Sequence, residues 1–224
     1  MTSVRWAVIL VILGSASLVP AQDSKYAIKT ADTPPPKELS EPIRKLLGPK
    51  SIRFFDGSKM VAELWFRKEV PADATPEQIK NGVTYRELKQ SEILGALKVE
   101  DGWTDYRKQK VKAGVYTMRL GFQPMDGDHT GSSMFTEFFV LLSAAKDTKT
   151  DLMEPKEMVE TSMKSIGTGH PAVFMLFPNS KPGAPQLVSK ENQHWVLNTK
   201  EDISVEGKKV GSIGIGMVVV GNAN

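Results

Sequence analysis

From residue 51 onward, apolar and polar side chains alternate along most of this chain. In Lys59–Arg67 every second residue from Met60 to Phe66 falls on one face, which is the spacing of a half-buried strand. Val115–Phe122 is an equally clear strand, and Met134–Leu142 is apolar enough to lie centrally in a sheet. Alternation on this scale predicts a mainly β fold.

Helical spacing stands out in one segment, Thr150–Ile166. Pro155 suits the first helical turn, Val159 and Met163 fall on one apolar face, and Gly167 is typical of a helix end. Many short strands with turn signals between them are typical of a two-layer all-β domain. We therefore expect an antiparallel β-sandwich with one or two short helices.

The first residues have the composition of an export signal. Trp6–Val19 carries no charge and is shorter than the roughly 20 apolar residues that a spanning helix needs. Val19 and Ala21 place small residues where a signal peptidase reads the chain. We expect residues 1–21 to be a signal peptide and the protein to be secreted or periplasmic. No cysteine follows the apolar run, which excludes a lipid-anchored lipoprotein.

The next stretch, residues 22–50, is rich in proline and weakly patterned. Thr33–Pro36 favours an extended polyproline conformation, and a short helical turn is expected over Glu41–Leu47. We interpret residues 22–50 as an N-terminal tether and residues 51–224 as the β-sandwich domain.

Composition excludes several classes of function. Without Arg5 the chain keeps 28 of its 29 basic residues against 26 acidic ones, so its net charge near +2 gives no case for nucleic acid binding. The chain has no cysteine, which excludes disulfides, thiol catalysis and zinc–thiolate sites. After signal removal we expect no membrane span, because no later segment is long and apolar enough.

Polar side chains with ligand chemistry are concentrated in the loop Gln123–Ser133. Asp126, Asp128 and His129 lie there beside glycines, between two strong strands. His170 opens another predicted strand, so it could meet this loop at one end of the domain. These four residues are the candidate ligand-binding set, and Asp126, His129 and His170 are the candidate ligands of a divalent metal. The alternative is that the loop is only a turn, since Asp-Gly and Thr-Gly pairs commonly form turns.

Two other patterns have structural explanations beside functional ones. Gly214 and Gly216 share one face of the last predicted strand, which indicates either another element packed closely or a ligand approaching there. The basic run Arg107–Lys112 is typical of an exposed strand edge protected by lysines, with polyanion binding as the alternative.

Catalytic motifs are missing from the sequence. It contains no Gly-x-Ser-x-Gly elbow, no Ser-x-x-Lys and no His-Glu-x-x-His, and its carboxylates form no recognisable acid/base pair. Trp65, Trp103 and Trp195 are compatible with carbohydrate binding if exposed and with core packing if buried.

Three segments carry a resemblance to a known group of proteins. Lys112–Leu142, Gly169–Val173 and His194–Leu197 together resemble uncharacterised exported bacterial proteins with a β-sandwich-like domain of unknown function. The resemblance implies export and a β-rich fold. It implies no reaction, ligand or catalytic residue.

The sequence favours a non-catalytic binding or scaffolding module that requires no cofactor. Its expected partner is a protein or a carbohydrate. The alternative is a metal or small-ligand site, with or without catalysis, on the 123–133 loop with His170.

Overall fold

The computed structural model describes residues 24–100, 102–124 and 134–222, and this part of the chain is mainly β, as predicted. The strands are β1 Tyr26–Ala31, β2 Ser51–Asp56, β3 Lys59–Phe66, β4 Glu69–Pro71, β5 Ile93–Val99, β6 Trp103–Thr104, β7 Lys110–Val111, β8 Gly114–Phe122, β9 Glu137–Ser143, β10 Val173–Pro178, β11 Gln186–Ser189, β12 Trp195–Val205 and β13 Lys208–Val220. The helices are α1 Glu41–Leu46, α2 Pro76–Asn81 and α3 Pro155–Ile166, with a 3₁₀ turn at Tyr85–Glu87.

The strands form one large curled mixed sheet, a half-barrel, and the expected antiparallel sandwich was wrong in this respect. The order is β1-β2-β3-β5-β8-β9-β10-β13-β12-β11, so a single ladder of hydrogen bonds runs from the first strand to β11. β4 joins β12 in parallel, which makes the sheet mixed, and β6 and β7 form a separate two-stranded ribbon. β12 and β13 pair over their whole lengths with register shifts at Trp195/Val196 and Ile203/Ser204, and such bulges bend a sheet.

The largest apolar cluster fills the inside of the curve. The rings of Phe54 and Trp103 lie 5.9 Å apart, and those of Trp103 and Phe174 lie 4.5 Å apart, which connects β2 to β10. Tyr26 on β1 meets Trp195 on β12 at 5.5 Å, so the two ends of the sheet approach each other. Two smaller clusters cover the outer face, one beneath α1 and one beside α3.

Residues 24–50 are part of this fold, and their interpretation as a loose tether was wrong. β1 pairs with β2 along its full length, in antiparallel register. Leu39, Ile43 and Leu47 are almost fully buried against Trp65, and the Trp65 indole N–H donates to the carbonyl of Thr33 at 2.7 Å. The apolar side chains at every fourth residue anchor the segment despite its proline content.

Local predictions fared unevenly. α3 begins at Pro155 and ends at Ile166, and it is capped by Gly167, whose φ of 74° is left-handed, as predicted. The close packing predicted at the last strand is also present, since a Cβ on Gly216 would lie 2.7 Å from the Phe177 carbonyl oxygen. The basic run Arg107–Lys112, predicted as an exposed strand edge, contains a turn in which Lys108 has a φ of 65°, so only Lys110–Val111 of it is strand.

Among the described residues no helix has the length and apolar character needed to cross a membrane. Residues 1–21 lie outside the described part of the chain, so the signal peptide stays a prediction.

Candidate ligand-binding cavity

A cavity of about 400 Å³ lies between α3 and the outer face of β8, β9 and β10. Its volume is in the range of small-molecule binding sites. Most of its lining is apolar, contributed by the helix, the three strands and two flanking loops. The apolar lining residues are Phe122, Pro124, Phe138, Val140, Pro155, Met158, Val159, Met163, Pro171, Val173 and Met175.

Three methionines give the cavity a deformable wall. Met158 and Met163 project from α3, and Met175 lies opposite on β10. Met158 and Met175 are almost fully buried, whereas Met163 is half-buried. An unbranched thioether side chain adapts to ligands of different shape, which is why methionine recurs at permissive binding surfaces.

Two hydroxyl groups fix α3 against the ends of β9 and β10. Ser162 Oγ accepts a hydrogen bond from the Ala172 amide at 3.0 Å, just before β10. Ser165 Oγ accepts from the Ser143 amide at 2.9 Å, at the end of β9. Each bond reaches a strand end whose backbone amide needs an acceptor. The helix is therefore held at its C-terminal half while Val159 and Met163 overhang the cavity.

A buried ion pair holds the chain that leads into α3. Arg119 on β8 and Asp147 are both almost fully buried, and the guanidinium Nε and Nη2 bond the two carboxylate oxygens at 2.7 and 2.8 Å. The remaining guanidinium donors reach the carbonyls of Ser91, Lys149 and Asp151. Because the one guanidinium bonds acceptors along residues 147–151, the segment between β9 and α3 is fixed against the sheet.

Asp105 positions the opposite rim of the cavity. Its carboxylate accepts from the Arg107 and Gln109 amides at 2.9 and 2.8 Å, and from the Val173 amide at 3.0 Å. Burial raises the pKa of the Asp105 carboxyl, although these bonds oppose the rise. The hydrogen bonds of this carboxylate fix the turn between β6 and β7 against β10. It thereby presents Tyr106 and Arg107 to the cavity.

Polar side chains at the rim include those of Gln90, Arg107, Gln123 and His170. Arg107 and His170 are exposed, and neither side chain hydrogen-bonds or ion-pairs with any described residue. The turn carrying Arg107 contacts the segment carrying His170, since Gln109 Nε2 donates to the Pro171 carbonyl at 2.9 Å. The two basic side chains therefore belong to the same part of the rim.

Of the four residues predicted to form a site, the structure describes only His170. Asp126, Asp128 and His129 lie outside the described residues, so their placement is not established. Gln123 and the following proline, which begin the predicted loop, line the same cavity as His170. In the described part of the chain, no three His, Asp or Glu side chains are grouped closely enough to hold a metal ion. The metal site predicted at Asp126, His129 and His170 stays a prediction.

The third histidine of the chain and two of the candidate tryptophans have structural roles. His194 is buried, its ring nitrogens lie 3.1 and 3.3 Å from the carbonyls of Glu191 and Asn222, and its ring stacks on Tyr106. Trp65 and Trp103 are buried core side chains, which removes them as carbohydrate platforms.

A second cleft, of about 720 Å³, lies between the β2–β3 region and β12. Its notable group is Glu201, which accepts a hydrogen bond from the Thr199 hydroxyl at 3.0 Å. Burial raises the pKa of Glu201 to about 8, and neighbouring Asp202 adds to the rise. Three exposed lysines also line this cleft, which offers less apolar surface to a ligand than the cavity beside α3 does.

Sequence reasoning missed the methionine-lined cavity. The helical face with Val159 and Met163 was predicted, but the same spacing is expected of a fully packed helix. Comparisons with protein-family models, curated proteins and solved structures found no match to this chain.

Proposed function

We propose that the protein is a non-catalytic binding module that holds a small apolar ligand in the cavity between α3 and the sheet. One observation carries the proposal: a cavity of about 400 Å³ whose walls are mainly apolar and include three methionines. Empty apolar volume forfeits packing contacts, so a ligand that fills it gains them.

The chemistry of the walls suits binding better than catalysis. The thioether, aliphatic and phenyl groups that form most of the wall exclude water and supply no proton donor or nucleophile. Each methylene of a ligand moved from water into such a site contributes about 0.8 kcal/mol. The apolar part of the ligand would thus supply most of the affinity, and the polar rim of the cavity would set the orientation of the ligand.

Filling the cavity tests this function. The neutral fluorophore N-phenylnaphthylamine, which brightens in apolar surroundings, is titrated into the parent protein and into Val159→Trp. Val159 is half-buried and lines the cavity, so the indole should occupy the ligand volume and weaken binding at least tenfold.

Glu160→Trp is the matched control, because Glu160 is the next residue on α3, is exposed and does not line the cavity. It should bind like the parent. Equal affinity for all three proteins, or no binding to the parent, would contradict the proposal.

A second candidate function, a metal or small-ligand site on the 123–133 loop, has one observation in its favour. Gln123 and His170 line a common cavity, so the loop begins beside a described histidine. Thermal melting with zinc, copper or calcium tests it, with His129→Ala and His170→Ala as the variants. A metal site requires a shift in the parent that both variants reduce. No shift in the parent would reject it.

We also propose export to the periplasm or the medium, on the strength of the signal-like residues 1–21 and the resemblance to exported bacterial proteins. The mass of protein recovered from those fractions tests this proposal. Cleavage after Ala21 is the expected result, and retention of residues 1–21 would contradict it.

A further inference from the structure

The polar side chains at the rim of the cavity indicate the chemistry of the ligand's polar group. We propose that the ligand is a single-chain amphiphile with a carboxylate head, whose alkyl chain enters the cavity and whose head binds Arg107 with His170 beside it. This inference rests on the proposed function, because it assumes that the cavity is the site. It adds the chemical class of the ligand.

Arg107 is held in place by its backbone while its side chain makes no polar contact in the described part of the chain. The Arg107 amide donates to Asp105 Oδ1 at 2.9 Å, and the same carboxylate is bonded to β10. Arg107 lines the cavity, and its guanidinium has no carboxylate partner among the described residues. A planar guanidinium matches a carboxylate through two parallel hydrogen bonds, so an anionic head is its natural partner.

Tyr106 offers a further polar group at the same rim. Only 6% of this residue is exposed, and its hydroxyl makes no hydrogen bond with any described residue. Tyr106 lines the cavity beside Arg107, and its ring stacks on that of His194 at 5.7 Å.

Charge and polarity are unevenly distributed around the cavity. The basic groups, Arg107 and His170, come from two segments that contact each other through Gln109 and Pro171. The α3 side chains that line the cavity are instead uncharged and apolar, as are those from β9 and β10. A wall that is basic at one part of its rim and apolar elsewhere complements an anionic head on an apolar chain, and it complements neither a sugar nor a fully apolar ligand as well.

The test compares decanoate and dodecanoate with the corresponding alcohols, all below their aggregation concentrations, by calorimetric titration. Within each series the longer ligand should bind about fourfold tighter per methylene. Carboxylates should bind the parent at least tenfold tighter than the matched alcohols, because a hydrogen bond to a charged group is worth about that factor. In Arg107→Gln this advantage should disappear, while the alcohols bind as before.

Lys110→Gln is the matched control, since it removes one positive charge from an exposed β7 residue that does not line the cavity. It should leave both ligand series unchanged. Equal binding of carboxylates and alcohols, or an equal loss in Arg107→Gln and Lys110→Gln, would overturn the anionic head and leave the cavity's function intact. Failure of all four ligands to bind, or affinity independent of chain length, would overturn the cavity's function as well.

Discussion

Asp147→Asn is the substitution whose cost follows most directly from the structure. It removes the negative charge that faces Arg119, and both side chains are almost fully buried. The new amide group directs N–H donors at guanidinium donors where a carboxylate accepted two bonds. It also alters the short bond from the Thr117 hydroxyl at 2.5 Å. Arg119 is left as a buried cation without a counter-charge.

The magnitude follows from what remains around Arg119. Breaking a buried ion pair by removing one partner costs about 3–5 kcal/mol. The carbonyls of Ser91, Lys149 and Asp151 still accept three guanidinium hydrogen bonds, which partly stabilise the cation. We therefore expect the free energy of unfolding to fall by about 3 kcal/mol, at the lower end of that range.

Urea unfolding followed by far-ultraviolet circular dichroism measures this loss, with a common slope required for the comparison. Asp151→Asn is the control, because the side chain of Asp151 is exposed and loses the same charge. We expect it to change stability by less than about 0.5 kcal/mol. If Asp147→Asn were equally mild, the ion pair would not hold the connection to α3 and our account of how the helix is positioned would be refuted.

Two further predictions concern a buried acid and the N-terminal segment. The Glu201 pKa of about 8 lies above its unfolded value, so the native state binds the extra proton and stability should fall as pH rises from about 4.5 to about 8. Glu201→Gln should remove most of this pH dependence and stabilise the protein above pH 8 by about 2 kcal/mol, a value kept small because part of the side chain is solvated. Urea unfolding at both ends of this pH range measures the change, and an equal loss of pH dependence in the exposed control Glu206→Gln would refute the prediction. Ile43→Ala should cost about 2–5 kcal/mol because the Ile43 side chain, on the inner face of α1, is fully buried, whereas a near-neutral result in the same urea assay would restore the tether interpretation.

Local pattern predicted local structure well in this chain. Alternation over Lys59–Arg67 and Val115–Phe122 located β3 and β8, and Pro155 and Gly167 marked both ends of α3. These signals depend on neighbours in sequence, so a single chain contains them. How the strands close into a half-barrel depends on pairs such as β9 with β10 and β10 with β13, which are distant in sequence and unmarked by composition.

Two errors of interpretation have physical causes. The prolines at 34–36 suggested a tether, while Leu39, Ile43 and Leu47 already had the four-residue spacing of a buried anchor. The cavity could not be predicted because an apolar helix face looks the same in sequence whether or not it is fully packed. A fully packed helix face and one that lines a cavity differ in the space between Met163 and Met175, which only the tertiary structure shows.

The most direct test of the account is whether an apolar ligand reaches the methionines of the cavity. With ¹³C-methyl methionine labelling and decanol as the uncharged ligand, the methyl signals of Met158, Met163 and Met175 should shift on titration and saturate together. Met118 and Met217, which lie in the cluster inside the sheet, should keep their positions and serve as internal controls. Saturable shifts confined to the first three signals are the predicted result. Unchanged signals for those three, or shifts of similar size at all five, would contradict the proposal that this cavity is the binding site.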